Sequence, residues 1–420
     1  MLKNYWYALE FGSVVKDKPV KVRAFDQDLV LYRDPQGQIV CHSDVCIHRG
    51  GSLAGGWVVD DCVVCPYHGW EYDRTGACRK IPANREGLPV PKKARVDSYP
   101  VVERYGYVFV FLGDLPPEER PPVPELPLLD NAPWARAANN RIITGEFAWN
   151  ANYERVLENG VDAAHAPFVH STSFGNPDKP VIEDFDLVET ERDGHLTSAV
   201  YTVHLEPPDP KGIWKVIAKK NAERPPIETG NGLFFPNVTF LQVKLPLGTM
   251  TLFTAVVPVD EHHSISKWTM CRDFFTQKWA VSLLRADKDS YRRTMKIFYE
   301  DQPTVEGQRP ELIPFDLSAE LQVRSDAVQL SYRRWRQAAL DRGWGIDEHL
   351  VGARRYEGAK VIPSPARRAN PELANAWVLK EMEAKEGRRA AEAAAQPAPA
   401  PAPAPAAAPQ PSTGQPGVTG

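Results

Sequence analysis

Cys46-Ile47-His48-Arg49-Gly50-Gly51 and, after a glycine-rich stretch, Cys65-Pro66-Tyr67-His68-Gly69-Trp70 decide how the rest of the chain is read. Each stretch offers one thiolate and one imidazole, as C-x-H and C-x-x-H. Four such donors can serve metal in two ways. A zinc site takes all four on one tetrahedral ion, whereas one kind of [2Fe–2S] centre takes two Cys on one iron and two His on the other. Zinc modules built from Cys and His group the two Cys and then the two His. Here each loop supplies one of each, so each loop can straddle a two-iron cluster. The Gly50-Gly51 and Gly55-Gly56 pairs permit tight turns that bring amide N–H groups close to cluster sulfides. The ligand order therefore reads as an iron–sulfur electron carrier.

Working outward, the 420-residue chain is long enough for two domains with cores of their own. A hydrophobic content of 43% and a charged content of 25% are ordinary for a globular protein. A net charge of -4 makes no case for nucleic acid or an acidic membrane surface. No apolar run reaches the length of a membrane span and the first residues do not open a signal peptide, so a cytoplasmic location is expected. Of the six cysteines, Cys46 and Cys65 are taken by the cluster, and a reducing compartment argues against disulfides among Cys41, Cys62, Cys78 and Cys271. Cys62-Val63-Val64-Cys65 is formally a C-x-x-C, yet no helix follows it, and Cys62 reads as a small buried strand residue.

Short alternating runs up to residue 45, separated by turns such as Asp34-Pro35-Gln36-Gly37, predict antiparallel sheet. Further strands are expected at Trp70-Glu71-Tyr72 and Tyr107–Leu112. The prolines from Pro116 to Pro127 form a stiff, extended connection. Beyond it, Ile142–Phe147 reads as a strand, and Trp149–Ala164, Trp279–Tyr299 and Ser325–Leu340 read as helices. Strand signals return between Val181 and Asp273. Asn370–Ala395 reads as a charged, exposed helix. The Pro-Ala repeats of 396–420 cannot bury a core, so that tail is expected to be disordered.

The second informative stretch is Asn159-Gly160-Val161-Asp162-Ala163-Ala164-His165-Ala166-Pro167-Phe168-Val169-His170. Asp162 and His165, three apart, are expected on one helix face, and Pro167 should break the helix so that His170 turns back towards His165. Two histidines and one carboxylate with open positions form the facial triad of oxygen-activating ferrous enzymes. Asp162 is suited to accept from the non-ligating ring N–H of His165, which fixes its tautomer. His42, His195, His204, His262, His263 and His349 read as solvated histidines. Phe147, Trp149, Tyr153, Phe234, Phe235, Phe240, Phe253 and Trp268 are core by default, with a pocket lining as the other reading. Neither a dinucleotide-type glycine fingerprint nor a P-loop occurs, so electrons must come from a partner.

Together the two stretches make the chain resemble the oxygenase (alpha) subunits of the Rieske non-haem iron oxygenases, from about Tyr5 to about Trp344. The resemblance implies an α+β protein: an antiparallel-β Rieske domain over residues 1–115, a proline-rich linker over 116–133 and a helix-grip catalytic domain over 134–350. A charged extension, 351–395, and the tail, 396–420, follow. It assigns the [2Fe–2S] cluster to Cys46, His48, Cys65 and His68, and a mononuclear Fe(II) to His165, His170 and a distant carboxylate. That carboxylate is expected to be Asp301, in Phe298-Tyr299-Glu300-Asp301-Gln302-Pro303, with Glu300, Asp316 and Asp326 as alternatives. By analogy Asp162 bridges His68 and His165, helped by Asn159, and the bridge joins neighbouring subunits of a homotrimer. A ferredoxin or flavin reductase would supply electrons for hydroxylation or oxidative demethylation of a small organic, cyclic or aromatic substrate by O2.

The ending resembles the monooxygenase and demethylase branch, which holds dicamba-type demethylases, chlorophyll-breakdown oxygenases and saxitoxin-pathway hydroxylases. The chlorophyll-breakdown members carry a C-terminal C-x-x-C that has no counterpart after Cys271. The competing expectation is a Rieske electron-transfer protein whose second domain only binds a partner.

Overall fold

Tyr107-Val108-Phe109-Val110-Phe111-Leu112 is apolar at every position, the pattern of a strand covered on both faces. The computed structural model describes residues 2–126, 141–182, 185–205, 227–245, 247–314, 316–346, 360–375, 377, 379–382 and 384–385. In it these six residues form one fully buried strand. Val108, Val110 and Leu112 join Leu29, Leu31 and Cys41 in one core, while Tyr107, Phe109 and Phe111 pack with Phe234, Phe240 and Phe253 in another.

The N-terminal part is built from β1 (Tyr5–Phe11), β2 (Val20–Ala24), β3 (Gln27–Arg33), β4 (Ile39–Ser43), β5 (Trp57–Val59), β6 (Cys62–Val64), β7 (Glu71–Tyr72), β8 (Cys78–Lys80), β9 (Ser98–Tyr99), β10 (Val101–Arg104) and β11 (Tyr107–Leu112). They pair as β1-β11-β10, β2-β3-β4-β9 and β5-β6-β7-β8. A register shift between Ala8 and Glu10 changes the phase of β1, so that Phe11 joins Trp6 and Ala8 in one cluster.

The second part is one antiparallel sheet of seven strands: β12 (Arg141–Trp149), β13 (Val188–Arg192), β14 (His195–Leu205), β15 (Ile227–Phe234), β16 (Val238–Leu245), β17 (Gly248–Pro258) and β18 (Ser264–Arg272), in the order β12-β18-β17-β16-β15-β14-β13. Among the described residues it is accompanied by the helices α1 (Tyr153–Gly160), α2 (Ala166–Val169), α3 (Lys278–Leu283), α4 (Ala286–Glu306) and α5 (Ala327–Asp341). α1 packs on β16, β17 and β18, and α4 packs on β12. The eight aromatics that read as core by default are all buried.

The two parts share a junction with buried polar contacts. Asn237, fully buried, accepts from the Ala8 N–H (3.1 Å) and donates to Ala8 O (3.0 Å) and Val256 O (3.1 Å). The Lys267 ammonium meets Glu10 at 2.8 Å, both side chains less than a tenth exposed.

Several expectations are corrected. The helix predicted over Trp149–Ala164 spans only Tyr153–Gly160, because Trp149 pairs with Ser264 at the end of β12 and the Asn152 side chain caps α1 by accepting from the Glu154 N–H. The helix predicted over Trp279–Tyr299 is two helices, broken at Arg285, whose φ of 50° is left-handed. His42 is fully buried, its Nε2 at 3.0 Å from Asp73 O, and burial lowers its pKa to about 4.

The helix predicted over Asn370–Ala395 is also replaced. Pro365–Ala369 and Pro371–Asn375 are short helices. Lys360–Val361 pairs in parallel with Lys380–Glu381, and Gly345–Ile346 pairs antiparallel with Ala384–Lys385. The expected tail, 396–420, the stretch 351–359 and the linker residues 127–133 lie outside the described residues.

This C-terminal segment is fastened to the N-terminal part. Arg367 donates Nε and Nη2 to the two Asp97 oxygens at 2.7 and 2.8 Å, with side chains only 4% and 1% exposed. Tyr99 donates to Ile362 O at 2.6 Å. Replacing Arg367 with Met strands a buried carboxylate and is expected to cost about 3–5 kcal/mol. Denaturant unfolding reads this as a lower midpoint, and the Asp97→Asn/Arg367→Met pair should lose less than the single change.

Candidate metal centres

The cluster loops have the same local architecture. In the first, the Cys46 N–H donates to Gly51 O (2.8 Å) and the Gly50 N–H to Cys46 O (2.9 Å). In the second, the Cys65 N–H donates to Trp70 O (2.9 Å) and the Gly69 N–H to Cys65 O (2.9 Å). Gly50 and Gly69 take φ of +70° and +71°, a turn that side chains with a Cβ resist. Both loops thus put a cysteine at the base and a histidine at the tip.

The structure brings the four residues together. Cys46 and Cys65 are buried, His48 is half-buried and His68 exposed, with the two imidazoles 4.4 Å apart by ring centroid. His48 stacks on Trp70 at 4.7 Å and 7°. Tyr72 lies 3.1 Å from the Cys46 sulfur, and its phenol is the stronger donor. Burial pushes the Cys46 thiol up to about 11, with Tyr72 pulling the other way. Such a thiol becomes a thiolate where a cation stands beside it. His48 Nδ1 is buried without a hydrogen-bond partner, as expected of a ligand nitrogen. Two thiols at the loop bases and two imidazoles at the tips suit a two-iron cluster, one kind of ligand to each iron.

The second centre forms where the turn after α1 meets α4. Asp162 and His165 do not share a helix as expected: α1 ends at Gly160, and both lie in the turn before α2. Pro167 stands in the first turn of α2 instead of breaking a helix. His165 and His170 flank that single turn as its N-cap and C-cap, which brings their rings to one side. Tyr201, on β14, ties the turn to the sheet by donating to Val161 O at 2.8 Å.

Asp301 completes the set from α4. His165 Nε2 and His170 Nε2 are 3.3 Å apart, and Asp301 Oδ1 lies 3.4 and 3.3 Å from them. Donors bonded at about 2.1 Å around one transition-metal ion stand at similar separations. The Asp301 oxygen is buried and unpartnered in hydrogen-bond terms. A buried carboxylate facing two ring nitrogens asks for a cation. This donor set fits a mononuclear iron with open positions. Among the described residues it is the one group of three such donors within 4.8 Å.

Each imidazole has a carboxylate behind it. Asp162 Oδ2 is 3.4 Å from His165 Nδ1, while its Oδ1 accepts from the Ala164 N–H at 2.7 Å. Burial disfavours the His165 cation, but hydrogen bonds and charge from Asp162 and Asp301 outweigh it and lift the imidazole to about 9. For His170 burial prevails over Asp301 and Glu300, and its pKa is lowered. Burial would raise Glu300, yet bonds from Thr172, His170, Ser173 and Lys296 hold it down to about 2.

The alternative ligands are placed elsewhere. Glu300 faces the opposite side of His170, Asp316 caps a short turn by accepting from the Ser318 N–H, and Asp326 accepts from the Val323 N–H. Asn159 sits half-buried in the last turn of α1, its carbonyl accepting from the Asp162 N–H. Among the described residues no hydrogen bond joins its amide to Asp162 or the three donors, and none within the chain joins Asp162 to His68. Sequence reasoning missed Tyr72, Thr172 and Ser173, although all three lie within a few residues of a motif histidine.

Comparisons with known proteins match both halves of the chain. Residues 5–100 match the Rieske [2Fe-2S] domain, and residues 149–342 match the vanillate O-demethylase oxygenase C-terminal domain. The chain is 29% identical to the chlorophyllide a oxygenase of Chlamydomonas reinhardtii over 80% of its own length, but spans only 48% of that protein. It is 26% identical to the vanillate O-demethylase oxygenase subunit of a Pseudomonas species over 79% of its length and 93% of the relative's. Its fold matches NdmA of Pseudomonas putida CBB5 with caffeine at a TM-score of 0.64 and 24% identity, covering 81% of this chain and 91% of that one.

Proposed function

A chain that joins a Rieske [2Fe–2S] domain to a vanillate O-demethylase-type oxygenase domain belongs to the Rieske oxygenases, and from that premise we propose that it hydroxylates or oxidatively demethylates a small cyclic or aromatic compound. The observation that carries the reading is the triangle of His165, His170 and Asp301 donors, 3.3–3.4 Å on a side, in a chain that also presents the cluster loops. When bound, the [2Fe–2S] cluster supplies single electrons and the ferrous ion supplies O2 activation.

The chain's own residues do the rest. Cys46 and Cys65, buried, and His48 and His68, nearer the surface, would hold the cluster, two thiolates on one iron and two imidazoles on the other. Tyr72 donates to the Cys46 sulfur, a bond of the kind that sets a cluster's potential. His165, His170 and Asp301 would hold the mononuclear iron, and three protein donors would leave it positions for substrate and O2. Asp162 Oδ2, 3.4 Å from His165 Nδ1, is placed to favour the Nδ1-protonated tautomer by its charge, which would leave the Nε2 lone pair on the metal side. The carboxylate retains capacity for a second donor, and the exposed His68 of a neighbouring copy is the partner we assign to it. The contact requires a second copy, and the family resemblance makes a homotrimer the assembly we propose, with Asn159 in a supporting role at the turn.

We assign residues 1–115 to the Rieske domain, 116–133 to the linker and 134–350 to the catalytic domain. A ferredoxin or flavin reductase supplies the electrons. Six free cysteines, all buried, suit the reducing cytoplasm. No helix among the described residues is long and apolar enough to cross a membrane.

The test uses the full chain loaded with iron and sulfide and supplied with an electron donor. Acid-labile sulfide, a separately removable ferrous ion and substrate-dependent O2 uptake are expected together. A cluster-loaded protein with no removable iron and no O2 uptake across a panel of aromatic acids, methyl ethers and N-methylated heterocycles would overturn the reading.

A further inference from the structure

Glu300 and Asp301 are consecutive on α4, yet they address opposite sides of one imidazole. Asp301 Oδ1 faces His170 Nε2 at 3.3 Å, and Glu300 Oε2 lies 2.9 Å from His170 Nδ1. Successive helical residues point about 100° apart, so the shorter acid reaches the near nitrogen and the longer one wraps to the far nitrogen. The other Glu300 oxygen is already engaged. Oε1 accepts from the Thr172 and Ser173 hydroxyls, the latter at 2.8 Å, and lies 3.3 Å from the Lys296 ammonium. Lys296 also donates to Thr172 O at 3.1 Å, so the loop after His170 and α4 are tied together at this carboxylate.

With Oε1 occupied, Oε2 is left for the ring. A carboxylate has no proton to give, so His170 must carry its proton on Nδ1 and present a lone pair at Nε2. The two carboxylates behind the imidazoles therefore differ. Asp162 stands 3.4 Å from His165 Nδ1 and shares its charge with a backbone amide, whereas Glu300 stands 2.9 Å from His170 Nδ1 inside a closed polar knot.

We propose that Glu300 is a positioning residue, not an iron ligand: it locks the tautomer and ring orientation of His170, and so sets how tightly the ferrous ion is held. This rests on the reading of His165, His170 and Asp301 as the iron donors, and it separates two duties, with His170 the anchored arm and His165 the arm that faces the relay.

The experiment measures release of iron from the holoprotein to a ferrous chelator, and the EPR spectrum after nitric oxide addition, with cluster absorbance as the internal standard. Glu300→Ala and the isosteric Glu300→Gln should speed iron release by about 10–100-fold and alter the EPR line shape, while cluster absorbance per chain stays at the wild-type level. Glu300→Asp should fall between them and the wild type. Unchanged release and unchanged line shape in both Ala and Gln variants would overturn the proposal. If those variants also lose the cluster, the Thr172→Val/Ser173→Ala pair decides: faster release with an intact cluster supports the role, and wild-type release overturns it. His170→Ala should release iron whatever Glu300 does. Iron retained there would refute the donor assignment itself, a different failure from that of Glu300.

Discussion

Asp162→Asn is expected to leave the cluster and the mononuclear iron in place and to lower turnover by about 100-fold or more. The amide is nearly isosteric, so its oxygen still accepts from the Ala164 N–H. Its other end is then an NH2 group, which meets the Nδ1–H of His165 donor to donor, 3.4 Å away in the native geometry. The charge that stabilises a protonated or metal-bound His165 is also gone. Iron and sulfide content, cluster absorbance and substrate-dependent O2 uptake are measured on one preparation. Turnover within a few-fold of wild type, with both metals present, would refute the assignment of Asp162 to the path between the centres.

Chains carrying Asp301→Ala and chains carrying Cys65→Ser should each be inactive, and mixed assemblies of the two should recover activity. Asp301→Ala removes the buried carboxylate from the donor triangle, so the removable iron should drop to background while the distant cluster loops are untouched. Cys65→Ser removes a buried thiol from the cluster and leaves the triangle intact. If electrons pass from one copy to the next around a ring, random mixing in equal amounts leaves roughly a quarter of the cluster-to-iron pairs intact. If transfer stays within a chain, the mixture remains dead. Refolding or co-expression of the two variants, followed by O2 uptake, separates these outcomes by the full range of the assay.

Local chain geometry made the cluster legible without any fold. Each C-x-H or C-x-x-H loop closes on itself through hydrogen bonds within six residues, so thiol and imidazole are delivered together wherever the hairpin sits. The His165 and His170 pair is local in the same sense, although the device is a single helical turn with a histidine at each end and not the broken helix that periodicity suggested. The strand expected at Tyr107–Leu112 is also present, as β11.

What residue order left open was everything that depends on which distant segments touch. Spacing alone did not separate Asp301 from Glu300, Asp316 and Asp326 as the third donor; only the resemblance favoured Asp301. Only the packing of α4 against β12 and the turn after α1 gives Asp301 the metal side of His170 and Glu300 the far side. The same holds for Arg367, in the stretch that reads only as a charged extension, which is buried because Asp97 waits for it from 270 residues away. Loops and turns are decided by short-range sterics and hydrogen bonds, which neighbouring residues carry in full. A donor triangle or a buried ion pair forms only when the whole core has excluded water, and that information is spread over the entire chain.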